Sequence, residues 1–315
     1  MLKLITQRVL LGLLTLWLVS VLVFVGTELL PGDVAEAVLG QSATPEGLQA
    51  LRLQMGLDRP AMVRYFDWLA GLLRFDFGMS LASQTSVNSL IAERVGKTLL
   101  LASLAAMLAV PLALTIGLLA AAYPGSLFDR FTSITALCVS ALPEFFLASL
   151  LVLVFAVNLN WLPAISYVVE FRSIGHLASS MAMPVVTLAA VIVAQMARMT
   201  RATIVNVMGA PFIEMASLKG VPRWRVILVH ALRNAIGPIA NVIALNLAYL
   251  VSGVVIVETI FAYPGLARLV VDAVASRDFP LIQACVFIFS ATYVLLMLMA
   301  DIFAILSNPR LRHPR

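Results

Sequence analysis

Six apolar stretches constrain this chain more than any other feature: roughly Val9–Leu30, Thr98–Ala122, Ile134–Val157, Met181–Ile204, Ile236–Ile260 and Ile282–Leu306. Each is close to or above the ~20 residues that cross a hydrocarbon layer as a helix. Backbone in lipid has no water to bond to, so such runs must close their own hydrogen bonds. The predicted fold class is therefore all-α: a polytopic membrane protein with about six transmembrane helices and a large extracytoplasmic loop after the first. Composition agrees, with 62% hydrophobic and 12% charged residues, where a soluble domain has about half and about a quarter. The first run is too long for a signal-peptide core and lacks a small-residue cleavage site before Pro31, so it reads as a retained span. Pro143 and Pro184 sit near the ends of the third and fourth runs, where neighbouring helices can satisfy the freed backbone groups.

Residues 1–30 hold the N-terminal region and first span, and 31–97 an extracytoplasmic segment of different composition. Residues 98–308 form the core, interrupted by a polar element at about 209–235, and 309–315 a tail. In the outer segment, Gln49–Met55 and Met62–Leu73 read as short amphipathic helices. The second is expected to lay Tyr65, Phe66, Trp68, Leu69, Leu72 and Leu73 against the membrane or another subunit. Lys and Arg in short connections set orientation. With the N-terminus inside, the cytoplasmic side receives Lys3, Arg8, Arg130, Arg198, Arg201, Lys219, Arg223, Arg225, Arg233, Arg310, Arg312 and Arg315. The short outer loops receive only Arg172, Arg268 and Arg277. Both termini and the 209–235 element are thus expected in the cytoplasm. This distribution accounts for the net charge of +5 without a nucleic-acid partner. Cys138 and Cys285 lie inside apolar runs without C-x-x-C spacing and read as small hydrophobes.

The polar element runs Gly209-Ala-Pro-Phe-Ile-Glu-Met-Ala-Ser-Leu-Lys-Gly220-Val-Pro222 and then Arg223 to Pro238. Pro211 can open a short helix, where its missing N–H costs nothing. Glu214 then falls in the first turn, suiting the helix dipole. Gly220 can close the helix in a left-handed cap, and Pro222 forbids continuation. A second helix is expected after Pro222, with Trp224, Ile227, Leu228, Ala231 and Ala235 at helical spacing. A short helix held crosswise between two spans suits a membrane protein pushed by a soluble partner.

No catalytic constellation is present: His176, His230 and His313 are far apart, and neither H-E-x-x-H nor G-x-S-x-G occurs. No Walker A sequence occurs, so the chain carries no ATP site of its own. It is not expected to be an enzyme, to bind a metal or to hold a cofactor. An ion-coupled carrier acting alone is the alternative from a different class. Such carriers usually need ionisable groups deep in the membrane, whereas Glu28, Glu144, Glu258 and Asp301 all fall near span ends. Asn158, Gln195, Asn241, Asn246 and Ser252 lie within or beside spans, where polar groups line a path or pin helices together.

Glu214-x-Ala216-x-x-x-Gly220, between the fourth and fifth of six runs, resembles the cytoplasmic EAA loop of the permease subunits of ABC importers. Where the general pattern ends I-x-L-P, this chain has His230-Ala-Leu-Arg233, and His230–Ala235 resembles the version in peptide and nickel importers. Further matches follow in order: Leu30-Pro-Gly-Asp33, Gly56-Leu-Asp-Arg-Pro60, Asp76-Phe-Gly-Met-Ser80, Pro143-Glu-Phe145, Trp161-Leu-Pro163, Val257–Leu266, Arg277-Asp-Phe-Pro280 and Asn308–Arg312. The chain is identified as similar to the DppB/OppB-type permeases of the dipeptide/oligopeptide/nickel family. Ala267 departs from the Gly usual after P-G-L, which predicts a looser or shifted turn.

The resemblance implies a type I ABC importer permease fold in the bacterial cytoplasmic (inner) membrane. It implies a second homologous permease of DppC/OppC type, two ATP-binding subunits carrying ATP and Mg, and an extracytoplasmic solute-binding protein. Glu214, Ala216, Lys219, Gly220, His230 and Arg233 become the ATPase-coupling residues. Small Ala216 and Gly220 would allow close approach in an ATPase cleft. Glu214 would pair with a partner cation or with Arg223 or Arg225, and His230 and Arg233 would touch the ATPase or bond the end of the preceding helix. Asn158, Gln195, Asn241, Asn246 and Ser252 are path candidates; Asp58, Arg59, Asp76, Arg277 and Asp278 are candidate contacts for the binding protein. Pro31-Gly32 and Pro264-Gly265 read as outer turns, with Gly supplying positive φ. The expected solute is a di- or oligopeptide, with nickel chelates, glutathione or opines as alternatives.

Overall fold

The structure is a computed structural model and describes residues 2–29, 44–54, 56, 58–166 and 173–307. The segments expected at Pro31–Asp33 and Asn308–Arg312, with Met55, Leu57 and Arg172, lie outside the described residues. The helices are α1 (Leu2–Glu28), α2 (Pro45–Gln54), α3 (Ala61–Leu73), α4 (Val87–Ala122), α5 (Leu127–Ala141), α6 (Glu144–Leu151), α7 (Ile174–Met208), α8 (Pro211–Leu218), α9 (Leu232–Ile260), α10 (Leu266–Ala275) and α11 (Phe279–Ser307). Among the described residues no β-strand forms.

Among the described residues, five helical segments are long and apolar enough to cross a membrane: Leu4–Glu28, Val87–Ala122, Gly175–Met208, Arg223–Ile260 and Phe279–Phe303. The run expected as the third span, Ile134–Val157, is a bent pair. α5 ends at Ala141, and the segment Glu144–Asn158 leaves at 102°. The physical cause is Pro143. Its ring disfavours helical backbone at Leu142, which is extended at φ −81°, ψ 132°. Pro143 itself is extended, and its carbonyl starts α6 by accepting from Phe146 and Leu147. Counting the pair as one span gives six.

The chain divides into two units. One comprises residues 11–99 and 264–294. Its core joins Val87 and Ile91 of α4, Leu266, Leu269 and Ala273 of α10, and Leu281, Ile282 and Cys285 of α11. The Thr98 hydroxyl accepts from the Leu266 amide at 2.7 Å and so holds the start of α10. Tyr65, Trp68 and Leu72 of α3 form one face at helical spacing, but that face is not given to lipid or another subunit as expected. The Tyr65 ring packs edge-on to Phe24 at 5.3 Å, Trp68 meets Phe24 and Phe287 at 6.2 Å each, and Leu72 is buried. Phe66 and Leu73 of the expected set are exposed.

The other unit comprises residues 1–10, 100–263 and 295–315. Its inner packing joins Ala121, Ile204, Ile227, Ala235 and Ile239. α4 and α7 approach so closely that a Cβ on Gly117 would lie 2.7 Å from the Ala197 carbonyl and 2.8 Å from the Thr200 side chain. Near the start of α5, the Asp129 carboxylate is buried and held by both arms of the Arg201 guanidinium from α7. Asp129 also accepts from the Gly125 amide at 2.8 Å, and Ser126 caps the helix through the Asp129 amide. Arg8 and Asp301 pair at 2.9 Å.

Pro264-Gly265 is not the positive-φ turn expected from its sequence. Gly265 has φ −98° and stands at the start of α10, whereas Ala262 takes the left-handed conformation at φ 48°. Tyr263 is buried there, and burial together with the nearby Glu258 carboxylate pushes its phenol up to about 12. Ala267 falls inside α10 and is fully buried, so no glycine-dependent turn lies at that position.

Candidate docking helix and outer surface

α8 begins as its composition requires. Ala210 is extended at φ −78°, ψ 144°, Pro211 occupies the first helical position and Glu214 lies in the first turn. The helix closes on Lys219, with Gly220 in the left-handed region at φ 76°. The Gly220 amide donates to the Ser217 carbonyl at 3.0 Å and the Val221 amide to the Ala216 carbonyl at 3.2 Å. This bond pair is a Schellman cap, which needs a residue tolerant of positive φ and usually adds an apolar contact from the following residue. Val221 supplies that contact by packing against Ile213, Ala216, Val226 and Ala231. Pro222 then initiates Arg223–Arg225, which runs through a π-helical turn at Val226–Ala231 into α9. The second helix expected from Trp224 to Ala235 is therefore the leading end of the fifth span, with Ile227, Ala231 and Ala235 buried and Trp224 and Leu228 exposed.

The two faces of α8 differ in kind. Its inner face, Ile213 and Ala216, is locked to the π-helical turn and to Val207 and Met208 at the end of α7. Ala216 is 9% exposed, so its small size serves packing within the chain, not close approach by a partner. Its outer face carries Phe212, Met215 and Leu218, all exposed, with Trp224 exposed just beyond. The sequence reading missed this ridge. Its signal was the spacing of three in Phe212, Met215 and Leu218, which puts them along one side of a helix. Glu214 and Lys219 are exposed, and among the described residues Glu214 forms no ion pair, so the expected pairing with Arg223 or Arg225 is not made. Gly220 is exposed, and a Cβ there would meet nothing within 4 Å. Its role in the chain is the backbone angle. His230 is half-buried and Arg233 exposed. The His230 carbonyl accepts from the Asn234 side chain at 2.7 Å.

The path candidates do not converge into one cluster. Asn158 is exposed where the π-helical turn after α6 ends. Gln195 is half-buried on α7. On α9, Asn241 and Ser252 are eleven residues apart, about three turns, and share a face. Asn246 lies on the other side, buried, with its amide donating to the Val242 carbonyl at 2.8 Å and its Oδ1 without a partner among the described residues. That placement makes Asn246 a packing residue of the bundle.

Among the outer candidates, Asp58 is exposed, and Arg59 donates to exposed Asp67 at 2.7 Å. The Asp76 carboxylate accepts from the Gly78 amide at 3.0 Å and remains exposed. Arg277 is half-buried, in left-handed backbone at φ 54°. Asp278 is different: at 1% exposure, its carboxylate accepts from the Ser80 hydroxyl and, at 3.1 Å, from the Leu81 amide. It fastens the 80–81 turn to the corner before α11 and is not available as an outer contact. The same unit holds a cavity of about 310 Å³ lined by Phe24, Glu28, Arg64, Trp68 and Gln283, with Glu28 and Arg64 paired across it.

The family model for the binding-protein-dependent transport system inner membrane component matches residues 113–313, and the model for the N-terminal part of that membrane component matches residues 1–102. The chain belongs to this family. It is 36% identical over 313 residues to a protein named as a peptide transport system permease from Brucella abortus (strain 2308), covering 99% of this chain and 100% of the relative. It is 37% identical over 305 residues to the glutathione transport system permease protein GsiC of Escherichia coli (strain K12), covering 96% and 97% respectively. The binding-protein-dependent permease is thus a multi-pass, all-helical transport component of the inner membrane.

Proposed function

We propose that this chain is the transmembrane permease subunit of an ATP-driven importer that translocates short peptides delivered by an extracytoplasmic solute-binding protein. The observation that carries the coupling role is the two-faced α8. Its inner face shares a core with the entry to α9, and its outer face presents Phe212, Met215 and Leu218. An exposed apolar ridge on a polar-flanked helix is a docking surface. In this reading α8 seats in a cleft of an ATP-binding partner, with both termini on the same cytoplasmic side. When the two ATP-binding partners close, α8 moves, and the Ile213–Val226–Ala231 core carries the start of α9 and the end of α7 with it. The cavity between this chain and a second, homologous permease then reopens outward. ATP and Mg belong to the partners; this chain contributes the moving helix.

Peptide import is supported by the name of the Brucella relative, and the Escherichia coli relative favours glutathione, itself a tripeptide, as the second reading. Reconstitution tests both. ATP-dependent uptake of labelled dialanine or glutathione is expected only with the ATP-binding subunits present. Uptake that persists without them refutes the importer reading. Met215→Glu with Leu218→Glu is expected to abolish ATPase stimulation while leaving the chain inserted; unaltered stimulation would remove α8 from the coupling role.

A further inference from the structure

Glu144 opens α6 at the bend, and its carboxylate leans into a notch on α9. A Cβ on Gly253 would lie 3.1 Å from its Oε2, 3.3 Å from its Oε1 and 3.2 Å from the Leu188 side chain. The missing side chain of Gly253 is therefore what admits the carboxylate. Oε2 is buried and has no hydrogen-bond partner among the described residues. An unpaired acidic oxygen among spanning helices is costly unless it meets water, a cation or a donor. Tyr249, one turn before Gly253, lies beside the carboxylate. Tyr249 and Ser252 are both exposed on α9, on the side that also carries Asn241. Polar side chains on a spanning helix avoid lipid and turn toward protein or a wet cavity. The Glu144 carboxylate is thus set at the edge of a polar strip, with the Tyr249 phenol beside it.

We propose that Glu144, with Tyr249 and Ser252, forms a cation-recognition point on the translocation path that takes the ammonium group of the solute. This rests on the importer reading and adds to it. A free N-terminal ammonium is the feature common to unmodified peptides. Glu144 supplies the negative charge, Tyr249 and Ser252 supply hydroxyl oxygens, and Gly253 keeps the position open.

The test uses the assembled complex in vesicles. Ser252→Cys is introduced with Cys138→Ser, and its labelling is followed by peptide mass with a cationic (trimethylammonioethyl) and an anionic (sulfonatoethyl) methanethiosulfonate. A charged, walled site enriches its counter-ion roughly tenfold or more, so the cationic-to-anionic rate ratio, divided by that of a small free thiol such as 2-mercaptoethanol, is expected to be about ten. Glu144→Gln, or Glu144→Ser if the first variant fails to accumulate, is expected to bring the ratio near one, and Glu144→Asp to keep it. A ratio equal to that of the free thiol with Glu144 present, no reaction with either reagent, or an excess over the free thiol that survives Glu144→Gln would each overturn the proposal. In the same vesicles, dialanine uptake is expected to fall about tenfold in Glu144→Gln while binding-protein stimulation of ATP hydrolysis persists. Absence of dialanine uptake by the unaltered complex would count against the peptide reading alone, because the labelling ratio decides the recognition point independently of transport.

Discussion

Substituting Gly220 separates a backbone role from a surface role at the end of α8. A residue with a Cβ held in left-handed backbone costs about 1–2 kcal/mol, and φ here is 76°. No steric cost is added, since the new Cβ meets nothing within 4 Å. Opposing that strain are the two cap hydrogen bonds at 3.0 and 3.2 Å, each worth about 0.5–1.5 kcal/mol net, together with the Val221 contact. The strain of Gly220→Ala is thus comparable with what the cap supplies, and the capped and frayed ends of α8 become similar in population. We expect binding-protein-stimulated ATP hydrolysis by the reconstituted complex to fall about two- to fivefold. Gly220→Asn should lie closer to the parent, because Asn tolerates the left-handed region. If Ala matched the parent, or Asn, the bulkier residue, were the worse of the two, the cap argument would be refuted and Gly220 would act through its surface.

Three further outcomes are expected. Ile213→Ala removes the buried anchor of α8, which should cost about 2–5 kcal/mol and appear as faster protease cleavage within residues 209–222. Asp129→Ala leaves Arg201 without its partner; a broken buried pair costs about 3–5 kcal/mol, and the low end is expected because the Arg201 side chain keeps 31% exposure. The reversal Asp129→Arg with Arg201→Asp should recover part of that loss in thermal unfolding, and no recovery would mean that packing, not charge, dominates there. Gly117→Ala forces α4 and α7 apart, with overpacking worth about 1–3 kcal/mol, and a melting point equal to the parent's would show that the contact relaxes freely.

The local grammar of α8 was readable from sequence because every device in it is local. Pro211, Glu214, Gly220 and Pro222 act within one turn of themselves, and the structure places each in its expected position. α2 and α3 were readable for the same reason. What could not be read depends on partners distant in the chain. Whether Ala216 faces inward is decided by Val226 and Ala231. Asp278 is buried by Ser80 and Leu81, almost two hundred positions away. Arg201 counted only as a topology charge until Asp129 was seen beside it. The π-helical turn at Val226–Ala231 has no composition that marks it. The bend at Pro143 had a visible cause, but apolar length alone read through it.

That bend carries an arithmetic consequence for the whole chain. Each crossing of the membrane reverses the side on which the next segment emerges. α1 and α4 together restore the starting side, so everything after Ala122 depends on whether α5 and Glu144–Asn158 add an odd or an even number. If the 102° pair counts once, α7 returns α8 to the side of the N-terminus, and α9 and α11 bring the C-terminus back to it as well. If the pair dips in and comes out again, α8 emerges on the face opposite the N-terminus. A single proline-made corner thus sets the parity that decides on which side of the membrane α8 lies.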